Sequence, residues 1–468
     1  MKLKNKKVLV VGLGKSGLAA VEFLKDAGAK VAVTDLKADV GGARHPPEAD
    51  QPRSPLRGLE CHFGKHPPEI FDGRDLIVVS PGVPWGEGLQ RAAHNKIPIL
   101  GELELAARFL QPPVIAVTGT NGKTTTTTLL GELLGRGGKK VEVAGNIGKP
   151  LVEVVMEGRK LDWVVAEVSS YQLETVDRFH PRVAVLLNVT EDHLDRYASM
   201  EAYARAKYRI FSRQTSRDLA IYNQNDSWCR QGMKKVKAKK IGFSSVGAHP
   251  CVRPNPGGRT RGRHTGLPLQ YIDNQILYRN GRATEAYPLD RVTLVGQHNV
   301  ENIMASVAAA RFCGVEQKSI QKTLGVFRGL PHRIELVREC GGVRYYDDSK
   351  GTNVDAVIRA LEGFPDHSVL LIAGGKEKGG SYAPLREMMG KKVKHLFLIG
   401  EAKVAMAREF KGVVPVSESI RLETALPSAA RMAVSGDVVL LSPACSSFDQ
   451  FKDYKERGDL FQKLVKGL

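Results

Sequence analysis

Val114-Ile-Ala-Val-Thr-Gly-Thr-Asn-Gly-Lys-Thr-Thr125 decides the fold. Its first residues form a continuous apolar, mostly β-branched run, the pattern of a buried strand. Two glycines follow, and then a lysine and threonines that open a helix. The usual phosphate-loop pattern is G-x-x-x-x-G-K-[ST]. Its first glycine would fall on Val117, so Gly119 and Gly122 make the turn here. Backbone N–H groups around Gly119, Thr120, Asn121 and Gly122 then point at phosphate oxygens, and the helix N-terminus adds a favourable dipole. Lys123 reaches the β- and γ-phosphates. Thr124 offers a hydroxyl to the Mg2+ that ATP carries, with Thr125 beside it. A bare strand-to-helix turn accounts for one glycine but not for GTNGKT. The stretch implies an ATP site.

Outward from this loop, short apolar runs alternate with helical patterns. Val8–Val11, Val31–Thr34 and Leu76–Ser80 read as strands of a first unit. Val114–Thr118, Trp163–Val168 and Val183–Val189 belong to a second, and Val369–Ala373, His395–Ile399 and Val438–Ser442 to a third. Helices are expected over Gly17–Ala27 and Asn299–Cys313. The chain reads as α/β throughout, with three successive α/β domains at 1–101, 102–328 and 329–468. The first and third are Rossmann-like, and the second is a P-loop-type ATPase domain with a mostly parallel sheet. The Pro/Gly/Arg-rich segments 41–58 and 249–266 read as loops.

At 468 residues the chain exceeds what one hydrophobic core supports. It contains no run of 18 apolar residues, so no membrane span is expected. The start, MKLKNKKVLVVGLG, has the charge order of a signal peptide but runs directly into a glycine turn, which favours a first strand. The six cysteines are scattered with no CxxC pair, as in a reducing cytoplasm. Net charge is +19, and Ser227–Ile272 holds ten Lys or Arg with no Asp or Glu. Such a stretch grips nucleic acid or simply borders a site for anionic substrates. No interleaved aromatics offer base stacking, so the second reading is preferred and no nucleic-acid or membrane partner is expected.

Gly12-Leu-Gly-Lys-Ser-Gly17 follows the first strand, and Asp35 ends the next. Alone, this is a dinucleotide fingerprint and suggests an NAD-dependent oxidoreductase. Its physical content is narrower: an anionic diphosphate on a helix N-terminus, with an acidic residue near the ribose or base.

Twelve motifs in one order resemble the Mur ligase family of peptidoglycan synthesis, in its D-glutamate-adding branch. They are GLGKSG, SPGVP (80–84), TGTNGKT, GNIG (145–148), EVSSYQLE (167–174), NVTEDHLDRY (188–197), YARAKYRIF (203–211), GQHNVEN (296–302), LPHRIE (330–335), DDSKGTN (347–353), AGGKEKG (373–379) and LSPACSSFDQFKDYKERG (441–458). The resemblance implies an ATP-dependent ligase that activates the carboxylate of UDP-N-acetylmuramoyl-L-alanine as an acyl phosphate. The amine of D-glutamate then attacks it.

The resemblance also implies roles for particular residues. Two Mg2+ ions would lie near Thr124, Glu167 and His193, with Lys207 as a third kind of support once carbamylated by CO2. Lys123, Glu167, His193 and Lys207 form the catalytic set. Lys15 and Ser16 meet the UDP diphosphate, Asp35 the uracil, Gly82 the pocket wall, and Asn146 and His193 the muramoyl-alanine portion. Asn299, Asn302, Arg333, Asp348 and Lys350 face ATP. Thr352, Lys378, Ser447, Phe448 and Tyr454 face D-glutamate. The chain is expected to work as a cytoplasmic monomer whose domains close over the substrates. Gly351 stands where the family usually has alanine, a change expected to matter little. The alternatives are a folylpolyglutamate-type or other Mur-type ligase using a different amino acid, the oxidoreductase resting on GLGKSG, and a nucleic-acid-dependent ATPase resting on the basic stretch.

Overall fold

The computed structural model describes residues 1–36, 39–40, 43–44, 56–64, 66–192, 196–245, 269–280, 283–292, 294, 296–377 and 381–468. Much of both Pro/Gly-rich segments, and the residues His193 and Lys378, lie outside these.

Among the described residues three large sheets follow one another along the chain, beside a two-stranded pairing of Asp39–Val40 with Ala43–Arg44. The first has five parallel strands in the order Glu60–Phe63, Lys30–Asp35, Lys7–Val11, Leu76–Val79, Ile99–Gly101. The second centres on Val114–Thr118, flanked by Trp163–Glu167 and Val183–Leu186, with Val141–Gly145 outside the former. On its other side it continues in parallel through Leu219–Asn223, Lys239–Ser244 and Leu269–Ile272. It closes with Gln275–Asn280 and Ala283–Pro288, which pair antiparallel. The third sheet has six strands, parallel except for the edge strand Glu335–Cys340.

The strands read from continuous apolar runs are covered on both faces, and Ile115, Val165 and Leu371 have no exposed surface. Less apolar strands such as Glu60–Phe63 and Ala283–Pro288 carry no such run, so the sequence pattern does not show them.

The helix Lys123–Arg136 begins at Gly122, whose φ of 82° lies in the left-handed region. Five consecutive threonines make a poor helix start by propensity. Leu129, Leu130, Leu133 and Leu134 compensate by burying completely against the central sheet. A further helix, Gln297–Phe312, packs on the same face.

Two carboxylates fasten the short helix that follows the first sheet onto the second unit. Glu104, fully buried on the short helix Glu102–Ala107, accepts the backbone N–H groups of Asp177, Arg178 and Phe179 at 2.8–3.0 Å. Glu102 accepts the N–H of Val152 at 2.8 Å. Burial raises the Glu102 carboxyl to about 7. One continuous apolar cluster runs beneath these contacts, from Val8 and Val10 through Leu103 to Val164 and Ala166.

Candidate functional site

Parallel strands present their carboxyl ends to one edge, and ligands of such sheets sit there. The loop after Val114–Thr118 occupies that edge. Gly119 is extended at φ 159°, and a Cβ there would lie 3.0 Å from the Leu187 side chain. A Cβ on Gly122 would lie 2.3 Å from Asn302 Oδ1. The loop is pinned by Asn188, whose Oδ1 accepts the Asn121 N–H at 2.8 Å, while Thr120 N–H donates to the Asn188 carbonyl.

Two lysines converge on this loop from different helices. Lys123 Nζ donates to the carbonyls of Gly119 (2.9 Å) and Thr120 (2.6 Å). Lys207, on the helix Met200–Tyr208, donates to the same Gly119 carbonyl at 2.9 Å. It is 1% exposed and lies 4.4 Å from the centre of the Tyr203 ring. Burial, reinforced by the Lys123 ammonium, pushes Lys207 far below an ordinary lysine. Desolvation lowers Lys123 as well.

Glu167 ends the neighbouring strand Trp163–Glu167 and is 2% exposed. Its Oε1 accepts the amide of Asn146 at 2.8 Å. Its Oε2 is buried with no hydrogen-bond partner. A buried carboxylate oxygen left orphaned beside two cations and a phosphate loop fits a divalent cation, whose hard oxygen-ligand chemistry it would satisfy.

The third unit reaches in from the other side. Arg333 donates to Thr124 Oγ1 at 2.9 Å. Asn121 Nδ2 donates to Asp355 Oδ2 at 2.5 Å, and Thr190 Oγ1 donates to the same oxygen. Neither Asp355 nor Asn188 stands out in the sequence reading. Asn188 lies inside NVTEDH, but nothing in its spacing marks it as the residue that pins the loop. Asp355 lies two residues past DDSKGTN in a helix start, where an acidic residue is unremarkable.

The cleft between these units is lined by Asn121, Gly122, Thr125, Asn299, Asn302, Arg333, Asp348 and Lys350, and also by His298 and Arg359. Asn302 Nδ2 bonds Asn299 Oδ1 at 3.2 Å, and Thr126 Oγ1 donates to Asn302 Oδ1 at 3.2 Å. Asp348 is buried, accepts the Ser442 hydroxyl at 2.7 Å, and is raised to about 7 by burial. Gly351 matters more here than the sequence reading expects. A Cβ at 351 would lie 2.4 Å from Asp348 Oδ2 and 2.7 Å from Ser442 Oγ, so alanine would displace that pair.

Of the residues expected near D-glutamate, Thr352, Ser447, Phe448 and Tyr454 follow the carboxyl ends of strands of the third sheet, and Lys378 lies outside the described residues. The Ala444 N–H donates to the Gly351 carbonyl, so the turns carrying Thr352 and Ser447 abut. Lys350 Nζ sits 3.9 Å above the Tyr454 ring. Ser447 is buried, and Phe448 is 66% exposed.

In the first unit, Asp35 Oδ2 accepts the Leu13 N–H at 2.6 Å, so the carboxylate closes the glycine turn on one side. Ser16 lies in the first turn of the helix Lys15–Asp26. Lys15 reaches across to the Gly148 carbonyl. Gly82, at φ 87°, presents its carbonyl to Arg196, which also pairs with Glu174 at 2.8 Å. The structure therefore brings Asn146, Glu167, Lys123, Lys207, Thr124 and Arg333 into one locus. The Lys15–Asp35 turn meets it through the contact of Lys15 with the Gly148 carbonyl, two residues from Asn146.

Comparisons with known proteins agree with this layout. Residues 6–101 match the Mur ligase MurD-like N-terminal domain, 117–310 the Mur ligase middle domain, and 332–445 the Mur ligase glutamate ligase domain. UDP-N-acetylmuramoylalanine--D-glutamate ligase of Geotalea daltonii is 44% identical over 469 residues, covering 100% of this chain and 99% of that protein. The protein of that name from Trichlorobacter lovleyi is 43% identical over 471 residues, covering 100% of both. Among solved structures, a pseudomurein peptide ligase type C from Methanothermus fervidus superposes with a TM-score of 0.60 at 17% identity, over 99% of this chain and 100% of that one. UDP-N-acetylmuramate-alanine ligase from Thermotoga maritima gives 0.57 at 17% identity, over 99% and 100%. These two establish a shared fold. Among the described residues no helix is long and apolar enough to cross a membrane.

Proposed function

The chain belongs to the Mur ligase family, and we propose that it joins the amine of D-glutamate to the carboxylate of UDP-N-acetylmuramoyl-L-alanine at the expense of ATP. It is an ATP-dependent, amide-bond-forming ligase. The observation that carries the site-level reading is the convergence of Lys123, Lys207 and Arg333 with the orphaned Glu167 oxygen around one phosphate loop.

A carboxylate is a poor electrophile, and two anions repel each other on approach. Lys123 and Arg333, preorganised and desolvated, neutralise the triphosphate as its terminal phosphoryl group moves to the substrate carboxylate. Mg2+ bound with ATP would add Lewis-acid charge stabilisation, held by Glu167 and Thr124, with His193 as a further candidate ligand. Burial lowers the pKa of Lys207, which favours the neutral amine, the form that takes up CO2. As a carbamate it would carry negative charge and support a second Mg2+ instead of opposing it. Asn146, held by Glu167, would orient the muramoyl-alanine end. Asn299, Asn302, Asp348 and Lys350 line the ATP cleft. Thr352, Ser447, Phe448 and Tyr454, with Lys378, would receive D-glutamate, where a cation and hydroxyls suit two carboxylates. In the first unit Lys15, Ser16, Asp35 and Gly82 would hold UDP. Units 1–101, 102–328 and 329–468 would thus bind nucleotide sugar, ATP and amino acid in turn. A monomer in the cytoplasm is the matching setting.

Phosphate release should require ATP, UDP-N-acetylmuramoyl-L-alanine and D-glutamate together. In a panel of amino acids, equal turnover with L-glutamate or a diamino acid would sink the assignment of D-glutamate and leave the ligase reading intact.

A further inference from the structure

Arg333 reaches the phosphate loop from a turn that its own sequence disfavours. His332 has φ 61° and Ile334 has φ 48°, so two non-glycine residues flanking Arg333 are left-handed. For β-branched Ile334 this is a costly conformation. Strain of this kind persists only where the surroundings over-determine it.

Three elements provide that determination. His332 is buried, and its Nδ1 lies 2.7 Å from Asp347 Oδ2, at the end of the strand Val343–Asp347. Its backbone N–H donates to Glu335 Oε2 at 2.9 Å. Gln462, on the last helix Tyr454–Lys466, donates its amide to both Glu335 Oε2 (2.9 Å) and Asp347 Oδ2 (3.0 Å), closing the ring of contacts. The hydrogen bond that Asp347 accepts raises the His332 pKa, which favours the imidazolium. The same helix places Gly458 beneath the ring, and a Cβ there would lie 2.1 Å from His332 Nδ1. A glycine inside a helix is unfavourable by propensity, and the imidazole explains its presence at this buried position. The His332 carbonyl accepts the Lys350 N–H at 3.1 Å, which ties the turn to the Asp348–Lys350 segment of the cleft.

We propose that His332 is a positioning residue, held by Asp347, Glu335 and Gln462 so that the strained turn 332–334 delivers Arg333 across the domain boundary to Thr124. The inference rests on the reading of Arg333 as an ATP-side cation. It makes the last helix, through Gln462 and Gly458, part of the ATP site that it does not touch.

A double-mutant cycle tests it, with kcat and KM for all three substrates measured by phosphate release. Arg333→Ala should lower kcat about 100-fold, the scale of losing one preorganised donor. His332→Ala should lower kcat at least about tenfold, since a misplacement near 1 Å has effects of that order. The KM values for D-glutamate and the UDP substrate should hold. In the Arg333→Ala background the same His332→Ala change should do almost nothing. A merely structural histidine would lower activity by the same factor in both backgrounds, and that result overturns the inference while the role of Arg333 stands. A rate unaffected by Arg333→Ala overturns both. If His332→Ala does not fold, Gln462→Leu keeps the ring and removes the link between the two carboxylates. It should show the same non-additivity with a smaller loss, and additivity there overturns the inference equally.

Discussion

Two of the glycine turns that join a strand to a helix, at Gly12–Gly17 and at Gly119–Gly122, are chemically opposite. In the first, glycine is demanded by packing. A Cβ on Gly17 would lie 2.0 Å from the Gly12 carbonyl oxygen, and Ser80 Oγ already donates to that oxygen at 2.6 Å. Its lysine, Lys15, is exposed and turns outward to another unit. In the second, the loop lies among buried side chains, and Lys123 and the fully buried Lys207 share one backbone carbonyl. Two ammonium groups held together with little water form a poor resting arrangement, which one of them relieves by giving up its positive charge, as the carbamate reading of Lys207 has it. The same local shape thus gives a shelf in one place and a charged socket in the other. The difference lies in how much solvent each turn excludes.

Removing the socket's charge should be the largest single effect. Lys123→Ala should reduce ATP-dependent phosphate release by about 1000-fold or more, in the upper range for loss of a preorganised cation. Activity within tenfold of the parent would remove the contrast between the two turns.

Lys207→Ala comes next, at about 100-fold. If the lysine works as a carbamate, a short carboxylic acid should restore part of the rate, and added bicarbonate should raise the activity of the parent enzyme alone. An inert response to both would leave Lys207 as a cation, and the socket would then carry two more positive charges than a carbamate there would give.

Much of this contrast is readable from the residues, and the part that is not has a physical reason. TGTNGKT declares its turn because a glycine, a lysine and a threonine at fixed spacing have few other uses. The strand Val114–Thr118 and its neighbours declare themselves by continuous burial. The hairpin strand Ala283–Pro288 does not, because it lies at the sheet edge with most of its residues partly or fully exposed to water. Asp355 and Asn188 are silent for another reason: they act on a backbone N–H or a side chain 234 and 67 residues away, and sequence carries no mark of that pairing. Gly351 and Gly458 are silent likewise, since only the placement of Asp348 and His332 shows what a methyl group would strike.

Gly17→Ala should act on stability more than on chemistry. The new methyl meets backbone, which cannot move aside as a side chain would. Overpacking of this kind costs about 1–3 kcal/mol. The loss should appear as an earlier unfolding step confined to the first unit. Turnover at saturating UDP substrate should stay close to that of the parent. A parent-like melting curve would mean that the turn is looser than its geometry, and that its glycines serve the ligand.

Lys15→Ala should give the smallest effect and decide what the shelf is for. Its ammonium is exposed, so any attraction to a diphosphate is screened by solvent and salt. Removing it should raise KM for the UDP substrate by about three- to tenfold, as expected for losing about 1 kcal/mol at a wet site, and leave kcat and the KM for ATP unchanged. The parent's KM for the UDP substrate should also climb with ionic strength, and the variant's should climb less. Lys15 also bonds the Gly148 carbonyl, beside the Asn146 that would orient the muramoyl-alanine end. If the lysine is a strut and not a ligand, its loss should instead change kcat through misplacement of Asn146 and leave the salt dependence of KM as it was. The two outcomes separate a binding shelf from a brace between units, which the shape of the glycine turn alone cannot do.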